Sequence, residues 1–246
     1  MINRRSRRLS GIPVAMVLLA GLALPSCLFK SKPPQNAAAS TDPAGANDGK
    51  AFERMEKARA KALKAPGGAA EASDFAFQVT LLFTQGVGKR RPVPPTVIDE
   101  AVKCIDEARQ ANPDDEADLL IRKGEMLLAS GKNEPGAGAL RASIATRPQL
   151  RAFTPLAKYY AAQKLTAEAE VLCKKTLPAM KSDESRYAVL DECLKCSGAA
   201  TPEAGLPWAP AKDIAFYKAR KHDLEARLAG AKQAKAKEEA SEAKKP

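Results

Sequence analysis

The chain has 246 residues, room for one or two domains, and is 45% hydrophobic but only 5% aromatic, with alanine abundant. That mix suits helices packed through small contacts and argues against a β-sandwich, which draws on β-branched and aromatic residues. Net charge is +11, yet Arg4, Arg5, Arg7 and Arg8 supply four of the positives and the rest are interspersed with acids, with no Arg/Lys patch interleaved with aromatics. The pattern predicts a solvated mixed-charge surface and no nucleic-acid partner.

Residues 1–26 open with "MINRRSRRLS" and continue into the apolar "GIPVAMVLLAGLAL". A basic start followed by roughly 14 apolar residues reads as an export signal, shorter than a membrane span of about 20. Gly11, Pro13, Gly21 and Pro25 interrupt the run, which weakens an uncleaved anchor helix. "SRRLSGI" lacks the Phe-Leu expected after a twin-arginine pair, so the general export route is preferred. Leu24, Pro25, Ser26 and Cys27 then resemble the cleavage site of a bacterial lipoprotein, with Pro25 departing from its small-residue position. The resemblance implies removal of residues 1–26 and acylation of Cys27 on its sulfur and its new amino group. Several acyl chains anchor a protein stably where one does not. Leu28, in place of an acid, implies the outer membrane, facing the periplasm. A competing cleavage point follows Ala39 and would release a soluble exported protein.

Residues 27–49 are rich in Pro, Ala, Gly, Ser and Asn, without apolar periodicity, and predict a flexible tether. From residue 50 a helix is expected up to Pro66-Gly67-Gly68, with Phe52, Met55, Arg59 and Leu63 as its stripe and a solvated lysine-rich face. "SDFAFQVTLLFTQG" and "TVIDEAVKCIDEARQANPDD" predict two more helices, the second with Thr96 and Asp99 as a capping box and joined to the first by the long loop "VGKRRPVPP".

A periodic pattern follows. Leu120, Gly124, Leu127, Gly136, Leu140, Ser143 and Pro148 occupy one stretch, and thirty-three residues on Ala157, Tyr160, Ala169, Cys173 and Thr176 recur in register. This spacing resembles the tetratricopeptide repeat, a helix–turn–helix unit of 34 residues. Thr154-Pro155 is read as a helix start and Thr166 as a cap with Glu168 in the first turn. Gly136 and Ala169 are expected to let helices approach closely. "SDESRYAVLDECLKCSG" begins a degenerate fourth unit ending at Gly198.

The expected fold is therefore all-α: a solenoid of about 3–4 helical hairpins over residues 50–210 with a C-terminal capping helix. Residues 211–246 start amphipathically, with Ile214, Tyr217, Leu224 and Leu228 on one side, and beyond Gly230 are expected to fray. Trp208 is expected to cover the last repeat.

Catalysis is not expected. His222 sits among charges with no second ligand at hand, and no phosphate loop, nucleophile elbow or calcium loop occurs. Neither a metal nor another cofactor is expected, and no small-molecule substrate. The CxxC pair Cys193–Cys196 falls late in a helix beside Asp191 and Glu192, which raises thiol pKa, and lacks the second pair that zinc requires. In an oxidising compartment Cys173 is free to bridge Cys193 or Cys196; the alternative is free buried thiols.

The repeat family lines its groove with the first helix of each unit. Carried over, that implies Asp118, Ile121, Glu125 and Leu128 in one unit and Arg151, Thr154, Lys158 and Ala162 in the next. The expected function is an envelope lipoprotein acting as a protein–protein interaction scaffold, anchored in lipid through Cys27, whose partner is an envelope protein or peptide. The competing expectation is an exported peptidoglycan-processing or redox enzyme using carboxylates or the CxxC pair.

Overall fold

The computed structural model describes residues 43–242, with side chains over residues 47–233. The export segment, Cys27 and the linker up to residue 42 lie outside the described residues. Among those described there are eleven α-helices and no strand.

Helix α1 (Pro43–Lys64) begins inside the stretch read as linker, because Pro43 suits a first turn and Ala44 and Ala46 favour helix. It ends at Pro66-Gly67-Gly68, where Gly67 takes a φ of 81°. The Asn112 side chain donates to the Gly67 carbonyl at 2.8 Å, tying this turn to the end of a later helix. The buried face of α1 is Ala51, Phe52, Met55, Ala58 and Ala62, so Phe52 and Met55 of the expected stripe are buried while Arg59 and Leu63 are not. Leu63 is 53% exposed, and Arg59 turns to Glu100 at 2.6 Å.

Helices α2 (Ala69–Thr84) and α4 (Pro95–Ala111) flank the one-turn α3 (Val87–Arg90), which folds the long loop onto the core through Val87 and Val93. Thr96 does not cap α4; Pro95 holds its first position, and Asp99 instead pairs with Lys132 at 2.7 Å. After a 3-10 turn (Pro113–Asp115) come α5 (Glu116–Ala129), α6 (Asn133–Thr146), α7 (Leu150–Ala162) and α8 (Thr166–Thr176). A second 3-10 turn (Leu177–Ala179) leads to α9 (Asp183–Ser197), the one-turn α10 (Pro202–Gly205) and the long α11 (Ala211–Glu242).

Two starts differ from the sequence reading. Helix α7 begins at Leu150, so Pro155 lies inside it and leaves the Arg151 carbonyl without its in-helix donor. Full burial of Ala152 and Phe153 outweighs that lost bond. Helix α8 has Leu165 at its N-cap and Thr166 at its first position, with no side-chain cap. Helix α9 is capped on its side chain: Ser182 Oγ accepts from the Ser185 N–H at 3.2 Å, and Gly198, at φ 67°, ends it.

Consecutive helices pack as hairpins. α2 lies on α4, α5 on α6 and α7 on α8, while α2–α5, α5–α7 and α7–α9 contacts join the first helices. Helix α5 packs tightly on α6. A Cβ on Gly124 would meet Leu140 Cγ at 2.6 Å and the Gly136 carbonyl at 3.0 Å, and one on Gly136 would meet Leu128 at 2.9 Å. Both positions therefore require glycine.

The turns inside the two central hairpins repeat bond for bond. Gly131 N–H donates to Leu128 O and Lys132 N–H to Leu127 O; thirty-three residues on, Lys164 N–H donates to Ala161 O and Leu165 N–H to Tyr160 O. Gly131 and Lys164 take left-handed φ values of 82° and 59°.

Apolar side chains form two cores that share α5. Phe75, Val79, Leu82, Ile98 and Ile105 pack with Leu119, Met126 and Leu127 in the first. Ile121, on another side of α5, joins Leu140, Phe153, Leu156, Leu190 and Tyr217 in the second. Both cores lie within the compact unit Asp42–Pro246.

Helix α11 docks on α9 through a buried Tyr217, stacked on Tyr187 at 5.1 Å and donating to Asp191 at 2.9 Å, and through the Arg186–Asp213 ion pair. Trp208 is half-buried against the second core. Of the expected stripe, Leu224 is only half-buried and Leu228 is 62% exposed. The helix does not fray at Gly230 but continues to Glu242, since Ala, Lys, Glu and Gln are strong helix formers and no proline interrupts them.

Candidate functional site

Helices α2, α5, α7 and α9 contact one another in succession. On α2 the core positions are Phe75, Val79 and Leu82, which leaves Phe77 out of phase and 37% exposed. The guanidinium of Arg122, on α5, lies over its ring at 4.9 Å. Arg122 also meets Glu125 at 3.2 Å, and Glu125 meets Arg151 of α7 at 3.0 Å. A row Phe77–Arg122–Glu125–Arg151 thus crosses three helices, joined by one cation–π contact and two ion pairs.

The groove residues expected from sequence fare unequally. Asp118 and Glu125 are half-buried, and Asp118 is engaged at the lower end of α5 by Arg147 and by Gln149 at 3.3 Å. Leu128 packs against the second core and the Gly136 backbone. Ile121 is fully buried and cannot line a groove: two helices press on α5 from different sides, and this one faces the second core. On α7, Arg151, Lys158 and Ala162 are exposed and Thr154 is half-exposed. Glu125 and Arg151, both among the expected groove residues, pair with each other. Phe77 and Arg122 were not among the expected residues. The signal for Phe77 was present in its phase, two positions off the buried Phe75 and Val79.

Between α6, α7 and α8 there is an apolar cleft of about 500 Å³, floored by Ile144, Tyr160 and Leu172 and edged by Arg141, Glu168 and Lys175. Val171 stands at its edge, 66% exposed. Arg141 also pairs with Glu134 at 3.1 Å; Glu134 accepts from Tyr159 Oη at 2.8 Å, and that hydrogen bond with Arg141 holds its carboxyl below the usual range.

The cysteines are dispersed. Cys173 and Cys193 form a disulfide between α8 and α9, with Cα atoms 6.1 Å apart. Cys196, one turn on, is a buried free thiol donating to the Ala157 carbonyl at 3.3 Å. Burial, then Glu192, pushes its pKa up; burial, then Glu107 and Glu100, does the same for the free thiol of Cys104. Thiols held protonated in this way are poor nucleophiles. His222 is exposed on α11. Among the described residues no His, Cys, Asp and Glu group is placed to hold a metal ion, and no helix is long and apolar enough to cross a membrane.

No protein-family model, curated protein or solved structure matches the chain.

Proposed function

We propose that this chain is a lipoprotein of the bacterial outer membrane whose tetratricopeptide-like hairpins serve as a protein–protein interaction scaffold facing the periplasm. The observation that carries the repeat reading is the recurrence, at thirty-three residues, of the same turn hydrogen bonds and left-handed residue between α5–α6 and α7–α8. In this reading α2–α4, α5–α6 and α7–α8 are three units, α9 opens a fourth, and α11 closes the array by covering Tyr187 and Leu190. The partner is an envelope protein or peptide of mixed charge, and it docks on the face carrying Phe77, Arg122, Thr154 and Lys158. Glu125 and Arg151 then act as a preformed pair that orders the face, rather than as separate charged stations.

The scaffold reading is favoured over an exported peptidoglycan or redox enzyme because the CxxC cysteines are divided between a disulfide and a buried, hydrogen-bonded thiol. Lipid attachment rests on the sequence around Cys27.

Two measurements test the proposal. Palmitate labelling in cells is expected for the native chain and lost in Cys27→Ala. A photo-crosslinking residue at Phe77 or Thr154 is expected to trap a defined envelope protein that one at Ala142, on α6, does not; equal trapping at all three removes the groove.

A further inference from the structure

The excess positive charge is not spread evenly over the described domain. Residues 47–91 carry nine Lys and Arg against five Asp and Glu, whereas residues 92–233 carry twenty-one against twenty. Helix α1 concentrates it geometrically. Lys50, Arg54, Lys57, Lys61 and Lys64 recur at spacings of four and three, which places them along one line of the helix, about 21 Å from end to end. All five are exposed, and among the described residues none is in an ion pair. Of the acids described on α1, Asp48 is taken by Arg90 at 2.6 Å and Glu56 by Arg59 at 3.2 Å, which leaves Glu53. At the same end the Arg90–Asp48 pair lines one shallow depression with Lys50 and Arg54, and Arg91 lies over the Phe52 ring at 4.2 Å.

A line of uncompensated cations on a helix is costly by self-repulsion unless an anion offsets it. The five cations carry no aromatic between them on which a base could stack; the exposed residues beside the line include Glu53 and Ala60. A straight row about 21 Å long offers point charges to a plane rather than to a pocket. The chain between Cys27 and the start of α1 is short enough, at most about 56 Å when extended, to keep α1 within reach of a surface holding Cys27.

We propose that the stripe Lys50, Arg54, Lys57, Lys61 and Lys64 is a contact surface for the anionic headgroups of a lipid bilayer. The inference deepens the membrane-anchored reading and rests on it for which surface α1 meets. Contact through α1 lays the first end of the hairpin array against the bilayer and leaves the Phe77–Arg151 row, which lies on other helices, open to a partner.

The test uses the compact unit Asp42–Pro246, which contains both cores and lacks Cys27, so acylation plays no part. It is expected to co-sediment at low salt with phosphatidylcholine vesicles containing about one-third phosphatidylglycerol, and not with phosphatidylcholine alone. Raising salt from about 0.01 M to about 1 M is expected to release it. The triple variant Arg54→Gln, Lys57→Gln, Lys61→Gln is expected to weaken vesicle binding about a hundredfold, since each basic residue near an anionic surface strengthens binding about fivefold. Removing the same number of charges elsewhere, in Lys174→Gln, Lys175→Gln, Lys181→Gln, is expected to leave binding unchanged. Matching helical circular dichroism melts show that both variants are folded. Equal binding to neutral vesicles, an equal loss in the second triple, or no loss in the first overturns the stripe, as does binding to an RNA oligonucleotide without binding to vesicles. If palmitate labelling fails while stripe-dependent vesicle binding persists, the anchor is wrong and the stripe is supported on its own.

Discussion

Lys164 occupies left-handed backbone at φ 59°, in the turn where one repeat earlier Gly131 sits at 82°. A side chain at this position works against its own Cβ, and glycine does not. Lys164→Gly is therefore expected to raise stability by about 1 kcal/mol, and Gly131→Lys to lower it by a similar amount, in urea unfolding. Gly124 and Gly136 carry the opposite sensitivity. A methyl at either overlaps Leu140 or Leu128, so Gly124→Ala or Gly136→Ala is expected to lose about 1–3 kcal/mol. At the cysteines the disulfide closes a loop of sequence separation 20. Its removal in Cys173→Ala with Cys193→Ala is expected to cost about 3 kcal/mol. Cys104 and Cys196 should resist iodoacetamide in the folded protein and react once it is unfolded; rapid alkylation of native Cys196 would revive the redox reading.

Among the helices, α11 depends on a short list of contacts. Tyr217 is buried and donates to Asp191; burial, then that hydrogen bond, holds its pKa well above the ordinary tyrosine value. The unfolded phenol titrates near about 10, so the stabilisation is complete below that pH and declines as pH rises past it, because only the unfolded chain ionises readily. The native protein should lose thermal stability above pH about 10 more steeply than Tyr217→Phe, which lacks the ionising group. Equal slopes would show that α11 is not held by this phenol. Residues 225–233 of α11 are exposed, so Leu228→Ala is expected to leave the melting temperature unchanged.

Across the whole domain the two cores share one wall. Leu119, Met126 and Leu127 belong to the first, Ile121 to the second, and all four lie on α5. Unfolding of either side exposes apolar surface on the other, so the domain is expected to melt in one transition. The single tryptophan, Trp208, lies against the second core and reports on it. Val79→Ala, a cavity in the first core, should shift the Trp208 fluorescence transition by the same amount as the helical circular dichroism transition. Two separated transitions would mean that α5 does not couple the halves.

Local signals in the sequence accounted for several helix ends: the break at Pro66-Gly67-Gly68 and the Ser182 start and Gly198 stop of α9 depend on a residue and its chain neighbours. Helical class and the thirty-three-residue period were legible for the same reason. What required the tertiary structure was every question of which side a residue faces and what meets it there. Pro155 lies inside α7 because Phe153 is buried before it. Ile121 belongs to a core because a second layer covers that side of α5. Cys193 rather than Cys196 meets Cys173 because Cys196 is turned towards the Ala157 carbonyl of α7. The lysines of α1 read as ordinary solvated charge in one dimension; their line becomes visible only when Asp48 and Glu56 are seen to be occupied by Arg90 and Arg59. Propensity and caps act over a few residues along the chain, whereas burial and ion pairing act between residues that the chain places far apart, and only folding brings those together.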